Sequence, residues 1–113
     1  MENNSTFQEN NSGVIRTPKP PYYAVIFTSK RTAGDLGYNK MSERMETLVK
    51  GQPGFLGMET ARNEIGITVC YWSDMESIRK WSKNLEHREA KKSGKEKWYE
   101  MYRVRISKVE FEY

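Results

Sequence analysis

From Ile65 to Trp72 the chain reads IGITVCYW, in which Ile65, Ile67, Val69 and Tyr71 alternate with Gly66, Thr68, Cys70 and Trp72. Both sets are largely apolar, which predicts a strand covered on both faces. The period then changes. Ser73 or Asp74 is placed to cap a helix, with acidic Asp74 and Glu76 at its positive end. Ile78, Trp81 and Leu85 fall on one helical face, while His87, Ala90, Gly94 and Trp98 form a second stripe out of register with the first. Two stripes predict two short helices with a break near Lys83–Asn84. His87, the only histidine, heads the second stripe among small residues that admit a close approach, and it is the leading site candidate.

Upstream, Tyr22–Thr28 (YYAVIFT) is another strand with two apolar faces. A loop follows with Asp35 as a helix cap, and Tyr38, Met41, Met45, Leu48 and Val49 fall at helical spacing before Gly51 stops the helix. Pro53 and Gly54 turn the chain into a strand over Phe55–Arg62, and Asn63–Glu64 makes a tight hairpin into the Ile65 strand. The last strand is predicted over Tyr99–Tyr113. Tyr102, Val104 and Ile106 occupy one parity and Val109, Phe111 and Tyr113 the other, so a bulge or bend is expected near Ser107. Strand, helix, strand, strand, helix, strand is the βαββαβ order of a ferredoxin-like α+β fold, a four-stranded antiparallel sheet with its helices on one face. Helices on one face leave the other open. The two-faced strands therefore predict a homodimer in which a second sheet covers the first, with the overlong last strand reaching across.

Composition refines this picture. Residues 1–21 are rich in Asn and Ser and end in Pro18, Pro20 and Pro21, so they read as an arm anchored by Val14 and Ile15, ahead of one domain over 22–113. A chain of 113 residues that is 36% hydrophobic and 30% charged builds a thin core, which oligomerisation would supplement. The lone Cys70 rules out an internal disulfide or a multi-cysteine metal site and reads as a small buried hydrophobe. No apolar run is long enough to span a membrane, and the first residues lack a charged-then-apolar signal, so a cytoplasmic protein without a membrane partner is expected. The net charge of +4 is densest at Arg88, Lys91, Lys92, Lys95 and Lys97, interrupted by Glu89 and Glu96. That pattern is a solvated helix face rather than a phosphate patch. RNA-recognition modules share the strand and helix order, but their basic-Gly-aromatic signature is absent from the inner strands, so no nucleic-acid partner is expected. No glycine pattern of a nucleotide-cofactor site is present.

Several motifs then follow in a recognisable order: Gln52-Pro53-Gly54-Phe55-Leu56-Gly57-Met58-Glu59, Gly66-Ile67-Thr68-Val69 with Tyr71-Trp72, and Trp81. After them come Glu86-His87-Arg88, Ala90, Gly94, Trp98-Tyr99, Tyr102-Arg103-Val104-Arg105 and Val109-Glu110. From about Tyr22 to Tyr113 the chain resembles the antibiotic biosynthesis monooxygenase domain family. The resemblance implies a dimeric α+β barrel with a pocket between each sheet and its helices. Catalytic members oxidise aromatic polyketides such as anthrones and quinols with oxygen, without flavin or metal; a related branch binds and degrades heme, and many members have no established activity. The heme-degrading branch uses an Asn on the first strand, a Trp on the second helix and a His ten residues after it. Trp81 matches the Trp, but the tenth residue after it is Lys91 and the first strand has no Asn. The resemblance therefore disfavours heme and implies no cofactor.

Cofactor-free oxidation requires that an electron-rich phenol or anthrone be deprotonated and its anion held while it passes an electron to oxygen. That calls for a base titrating near neutrality, polar groups for the anion and an aromatic box that excludes water. His87 is the natural base, with Trp81 beside it as the second catalytic candidate. Trp72, Trp98, Tyr99 and Tyr102 are candidates for the box, and Arg103 or Arg105 for holding the phenolate. Plainer roles exist for each: core packing for Trp72 and Trp81, closure of the helix end for Trp98 and Tyr99, and an ion pair of Arg103 or Arg105 with Glu59 or another strand carboxylate. Met41 and Met45 are gap fillers that also suit a pliable pocket. The expected function is oxidation of a small aromatic substrate. The alternative is a non-catalytic dimer that binds an aromatic or heme-like ligand, or a stress-related domain, which needs the pocket but no base.

Overall fold

The computed structural model describes residues 13–113. Strands β1 (Tyr22–Arg31), β2 (Phe55–Arg62), β3 (Ile65–Trp72) and β4 (Tyr99–Val109) form one antiparallel sheet in the order β2-β3-β1-β4. Helices α1 (Tyr38–Lys50), α2 (Met75–Ser82) and α3 (Leu85–Ser93) pack on one face, and a single π-helical turn, Gly94–Trp98, leads into β4. This is the ferredoxin-like α+β arrangement that the order of periods predicts.

The register decides which residues face the helices. Val25 lies between Cys70 and Ile106, and Phe27 between Thr68 and Val104, so these parities form the inner face. The core sits toward one end of it, where Val49, Phe55, Trp72 and Ile78 cluster with Tyr23, Val25, Met58 and Trp81 against them. Phe55 and Trp72 are fully buried and meet edge to face at 5.3 Å. Each such ring contributes roughly 3 kcal/mol through burial, which is why a thin core suffices here.

Local chemistry places the breaks. The Asp74 side chain accepts the Ser77 N–H at 2.7 Å and starts α2, while Asn84 Oδ1 accepts the His87 N–H at 3.1 Å and starts α3, so the helix breaks at the predicted Lys83–Asn84. The new axis carries Leu85 off the first stripe and into solvent, at 75% exposure. Asp35 does cap α1, but from two residues ahead of the N-cap Gly37: its carboxylate accepts the N–H groups of Gly37 and Asn39, both at 3.0 Å. Gly94 admits the Tyr99 ring rather than a ligand, since a Cβ there would stand 2.8 Å from it.

Three expectations change. β1 runs three residues past Thr28. β4 stops at Val109, and its irregularity lies at its start, opposite Lys30–Arg31, instead of near Ser107. Val109 pairs with Tyr22 in unbroken register, so no bulge accompanies the change of apolar parity, and Phe111 and Tyr113 beyond the strand are exposed. On the outer face Tyr22 and Ala24 are buried, but Ile65 and Ile67 are 49% and 46% exposed, so this chain alone covers β3 on both sides only in part. Part of the cover comes from the predicted arm, whose first 12 residues lie outside the described ones. Ile15 donates its N–H to Glu59 at 3.2 Å and packs on Gly57, while Thr17 and Tyr22 both donate to Glu112, at 2.9 and 2.5 Å. Among the described residues no helix is long and apolar enough to cross a membrane.

Candidate functional site

A cavity of about 500 Å³ lies between the inner face of the sheet and the helices, within the range of small-molecule sites. Its floor is Val25 and Phe27 of β1, Met58, Thr60 and Arg62 of β2, Cys70 and Trp72 of β3, and Tyr102, Val104 and Ile106 of β4. Its roof is Tyr38, Met41 and Met45 of α1, Trp81 of α2, His87, Ala90 and Lys91 of α3, and Trp98 beyond them.

At one end stand Trp72, Trp81 and His87. The imidazole lies flat on the Trp81 indole, with centroids 4.3 Å apart and planes 12° apart, and Trp81 is 6.5 Å from Trp72. His87 Nδ1 is 3.0 Å from the Trp81 carbonyl oxygen. A carbonyl only accepts, so Nδ1 carries the proton and Nε2 keeps the lone pair. The helix break makes this possible: the Trp81 carbonyl accepts the Asn84 N–H at 3.0 Å and keeps a second lone pair for Nδ1, while His87 sits in the first turn of α3. Burial pushes the His87 pKa below the ordinary imidazole value and the Lys91 charge adds to this, against the opposing effect of the bond to Trp81. The ring is therefore neutral at physiological pH, as a base must be.

At the other end Tyr38, Trp98, Tyr99 and Tyr102 gather around Phe27. Phe27 is 5.1 Å from Tyr99 and 5.7 Å from Tyr102, and Tyr38 meets Trp98 and Tyr99 at 5.9 Å each. Trp98 is fixed by donating Nε1–H to the Leu36 carbonyl at 2.8 Å, and Arg31 stacks 3.5 Å from the Tyr38 ring centre. Burial, reinforced by the neighbouring Tyr38, holds the Tyr99 hydroxyl well above its ordinary pKa, so it stays protonated and able to donate. Burial also pushes the Cys70 thiol up to about 12, which removes it as a nucleophile, and its side chain is half-buried in the cavity wall rather than fully buried as expected.

The structure thus brings His87, Trp81, Trp72, Trp98, Tyr99 and Tyr102 to one cavity. It does not bring Arg103 or Arg105. Arg103 pairs with Thr28 and Arg105 with Ile26, so both lie on the outer parity of β4, away from the helices. Nor do they reach Glu59, which sits on β2 three strand spacings away, about 14 Å, and accepts from the Tyr71 hydroxyl and the Ile15 N–H. The arginine in the cavity wall is Arg62. It stands beside a hairpin turn and is still exposed, so it belongs to the open edge of the cavity. One signal was there to be used: Gly66, opposite Arg62 in register, is a strand glycine of the kind that marks a close approach. Among the described residues no group of three His, Cys, Asp or Glu is placed to hold a metal ion.

The sequence model of the monooxygenase af470-like family matches residues 29–112. The uncharacterized protein YqjZ of Bacillus subtilis is 50% identical over 97 residues, which span 84% of this chain and 85% of YqjZ. Among solved structures, SnoaB, a cofactor-independent oxygenase from Streptomyces nogalater, superposes with a TM-score of 0.70 at 9% identity, over 82% of this chain and 97% of its own. A Caulobacter crescentus protein assigned to the antibiotic biosynthesis monooxygenases gives 0.69 at 13% identity, over 79% and 90%. Identities this low speak for a shared fold, the ferredoxin-like α+β sheet with its helices on one face that the element order predicts. With the family's sequence model matching most of its length, the chain belongs to the monooxygenase af470-like family.

Proposed function

We propose that this protein is a cofactor-independent monooxygenase or oxidase that acts on a small aromatic substrate of quinol or anthrone type, working in the cytoplasm as a homodimer. The observation that carries the reading is the arrangement of His87: Nδ1 donates to the Trp81 carbonyl, so a neutral ring offers Nε2 as a base within an aromatic-walled cavity. In the reaction, Nε2 takes a proton from the phenol or benzylic position, and the resulting anion passes one electron to oxygen. Recombination forms the carbon–oxygen bond, and loss of water leaves a carbonyl, so a CH2 group and O2 become C=O and H2O. Trp81 stacks on the imidazole and, with Trp72 beside it, keeps water from it. That SnoaB is a cofactor-independent oxygenase on the same fold supports the absence of a cofactor in this scheme. Ile65 and Ile67 on the outer face support the dimer, since a second sheet laid there would bury them.

Oxygen uptake by the purified protein with hydroquinones and anthrones tests the proposal. Turnover is expected in the wild type, falling by about 100-fold or more in His87→Ala, the usual cost of losing a general base. Binding of the aromatics with no uptake in either protein would instead make this a ligand-binding domain.

A further inference from the structure

Arg62 belongs to a rung that crosses three strands. In register, Arg62 of β2 pairs with Gly66 of β3, Gly66 with Ser29 of β1, and Ser29 with Tyr102 of β4. The Arg62 side chain lies over Gly66, where a Cβ would run into its guanidinium, and it donates to both the hydroxyl and the carbonyl of Ser29. Ser29 is 2% exposed, and this is how its hydroxyl is satisfied. Two of the five guanidinium N–H groups are spent in this way, which leaves three donors on a side chain that lines the cavity.

The charge balance of the cavity points the same way. Its acidic lining residue, Glu46, is paired with Lys50 at 3.7 Å, and Lys91 is tied to Ser82 at 3.0 and 3.1 Å. Arg62 also stands near enough to Tyr99 for its charge to act on that hydroxyl. The cation and the base are at different ends. Gly66 and Trp72 are six residues apart on β3, about 20 Å at the rise of a strand. His87 and Trp98 are separated by eleven residues of helix, about 16 Å.

We infer that the cavity is built for an elongated aromatic carboxylate, whose acid group is held by Arg62 through the rung with Gly66 and Ser29 while its ring extends toward His87. This rests on the cavity assigned above as the substrate site and names the class of substrate it takes. Arg62 is then a specificity-determining residue, and Gly66 is a positioning residue that lets the guanidinium cross the sheet.

The test is binding of anthracene-2-carboxylate and of its neutral carboxamide, read by quenching of the three tryptophans that line the cavity. The wild type is expected to bind the carboxylate at least tenfold more tightly than the amide. Arg62→Gln is expected to abolish that preference while keeping amide binding. Gly66→Ala, which keeps the charge but displaces it, is expected to weaken the preference, and His87→Ala to retain it. Equal affinity for the two probes in the wild type, or an undiminished preference in Arg62→Gln, overturns the inference. Because the probes need not react, a charge preference lost in Arg62→Gln upholds it even if oxygen uptake fails, whereas uptake of neutral anthrones without any such preference sinks it and leaves the oxygenase reading intact.

Discussion

Asn84 Oδ1 accepts the backbone N–H of His87 at 3.1 Å, so the residue that breaks the helix also seats the candidate base. His87 is held a second time by its own ring, through Nδ1 to the Trp81 carbonyl. Losing the first bond should loosen the second. Asn84→Ala is expected to destabilise the fold by about 1 kcal/mol, the usual cost of an N-cap, and to lower oxygen uptake beyond what that destabilisation explains. Asn84→Asp should restore both, as judged by urea midpoints and uptake rates measured side by side.

The displaced pKa of His87 has a definite sign. The folded chain holds its imidazole neutral to a lower pH than the unfolded chain, whose value is about 6.5. Between those two values the unfolded state binds more protons, so stability rises with pH there, is complete above the unfolded value and is lost as pH falls toward the folded one. Wild type should therefore lose more stability between pH 7.5 and pH 5 than His87→Gln does, when both are unfolded in urea. The rate should be flat near neutrality and fall only below the ordinary imidazole range, and this acid limb should be missing from the residual activity of His87→Gln.

Ile65 and Ile67 side by side on the outer face of β3 bear on assembly. If a second sheet covers them, a charge placed among them is buried without a partner, which costs several kcal/mol. Ile67→Glu is expected to turn a dimer into a monomer in native mass spectrometry, with the secondary structure of each chain kept. A wild type that is monomeric at micromolar concentration, or an unchanged dimer in the variant, would contradict the proposed assembly.

Cys70 should be inert in the folded protein. With its pKa pushed up to about 12, roughly one thiol in ten thousand is ionised at pH 8, and the thiolate is the reactive form. Labelling by an aromatic disulfide reagent is expected to be slow in buffer and complete in denaturant. Rapid labelling of the native protein would mean that the cavity opens far more freely than its packing implies.

Most of the architecture was legible in the chain because it depends on short-range rules. The change from a period of two to 3.6 after Trp72, the caps at Asp74 and Asn84, and the Asn63–Glu64 turn each act within a few residues. His87, Trp81, Trp72, Trp98, Tyr99 and Tyr102 were also within reach, since stripe geometry and aromatic content single them out. Arg103 stays outside the cavity because strand parity overrides side-chain type: neighbours of Tyr102 on a strand face away from it. β4 ends sooner than its apolar pattern predicts for a related reason: β1 begins at Tyr22, opposite Val109, and offers nothing further for the last residues to pair with.

What the sequence determined by itself is thus the order and type of the elements, the point at which the second helix breaks, and the aromatic and imidazole groups available to a site. These follow from backbone preferences and periodicity, which are local. Only the tertiary structure decided that Arg62 enters the cavity and Arg103 does not, that Nδ1 of His87 is the protonated nitrogen, and that Gly94 makes room for Tyr99. Each of those depends on sheet register or on contacts between residues distant in the chain. The glycine that lets Arg62 reach Ser29 lies four residues from one and 37 from the other, and only pairing the strands brings the three into line.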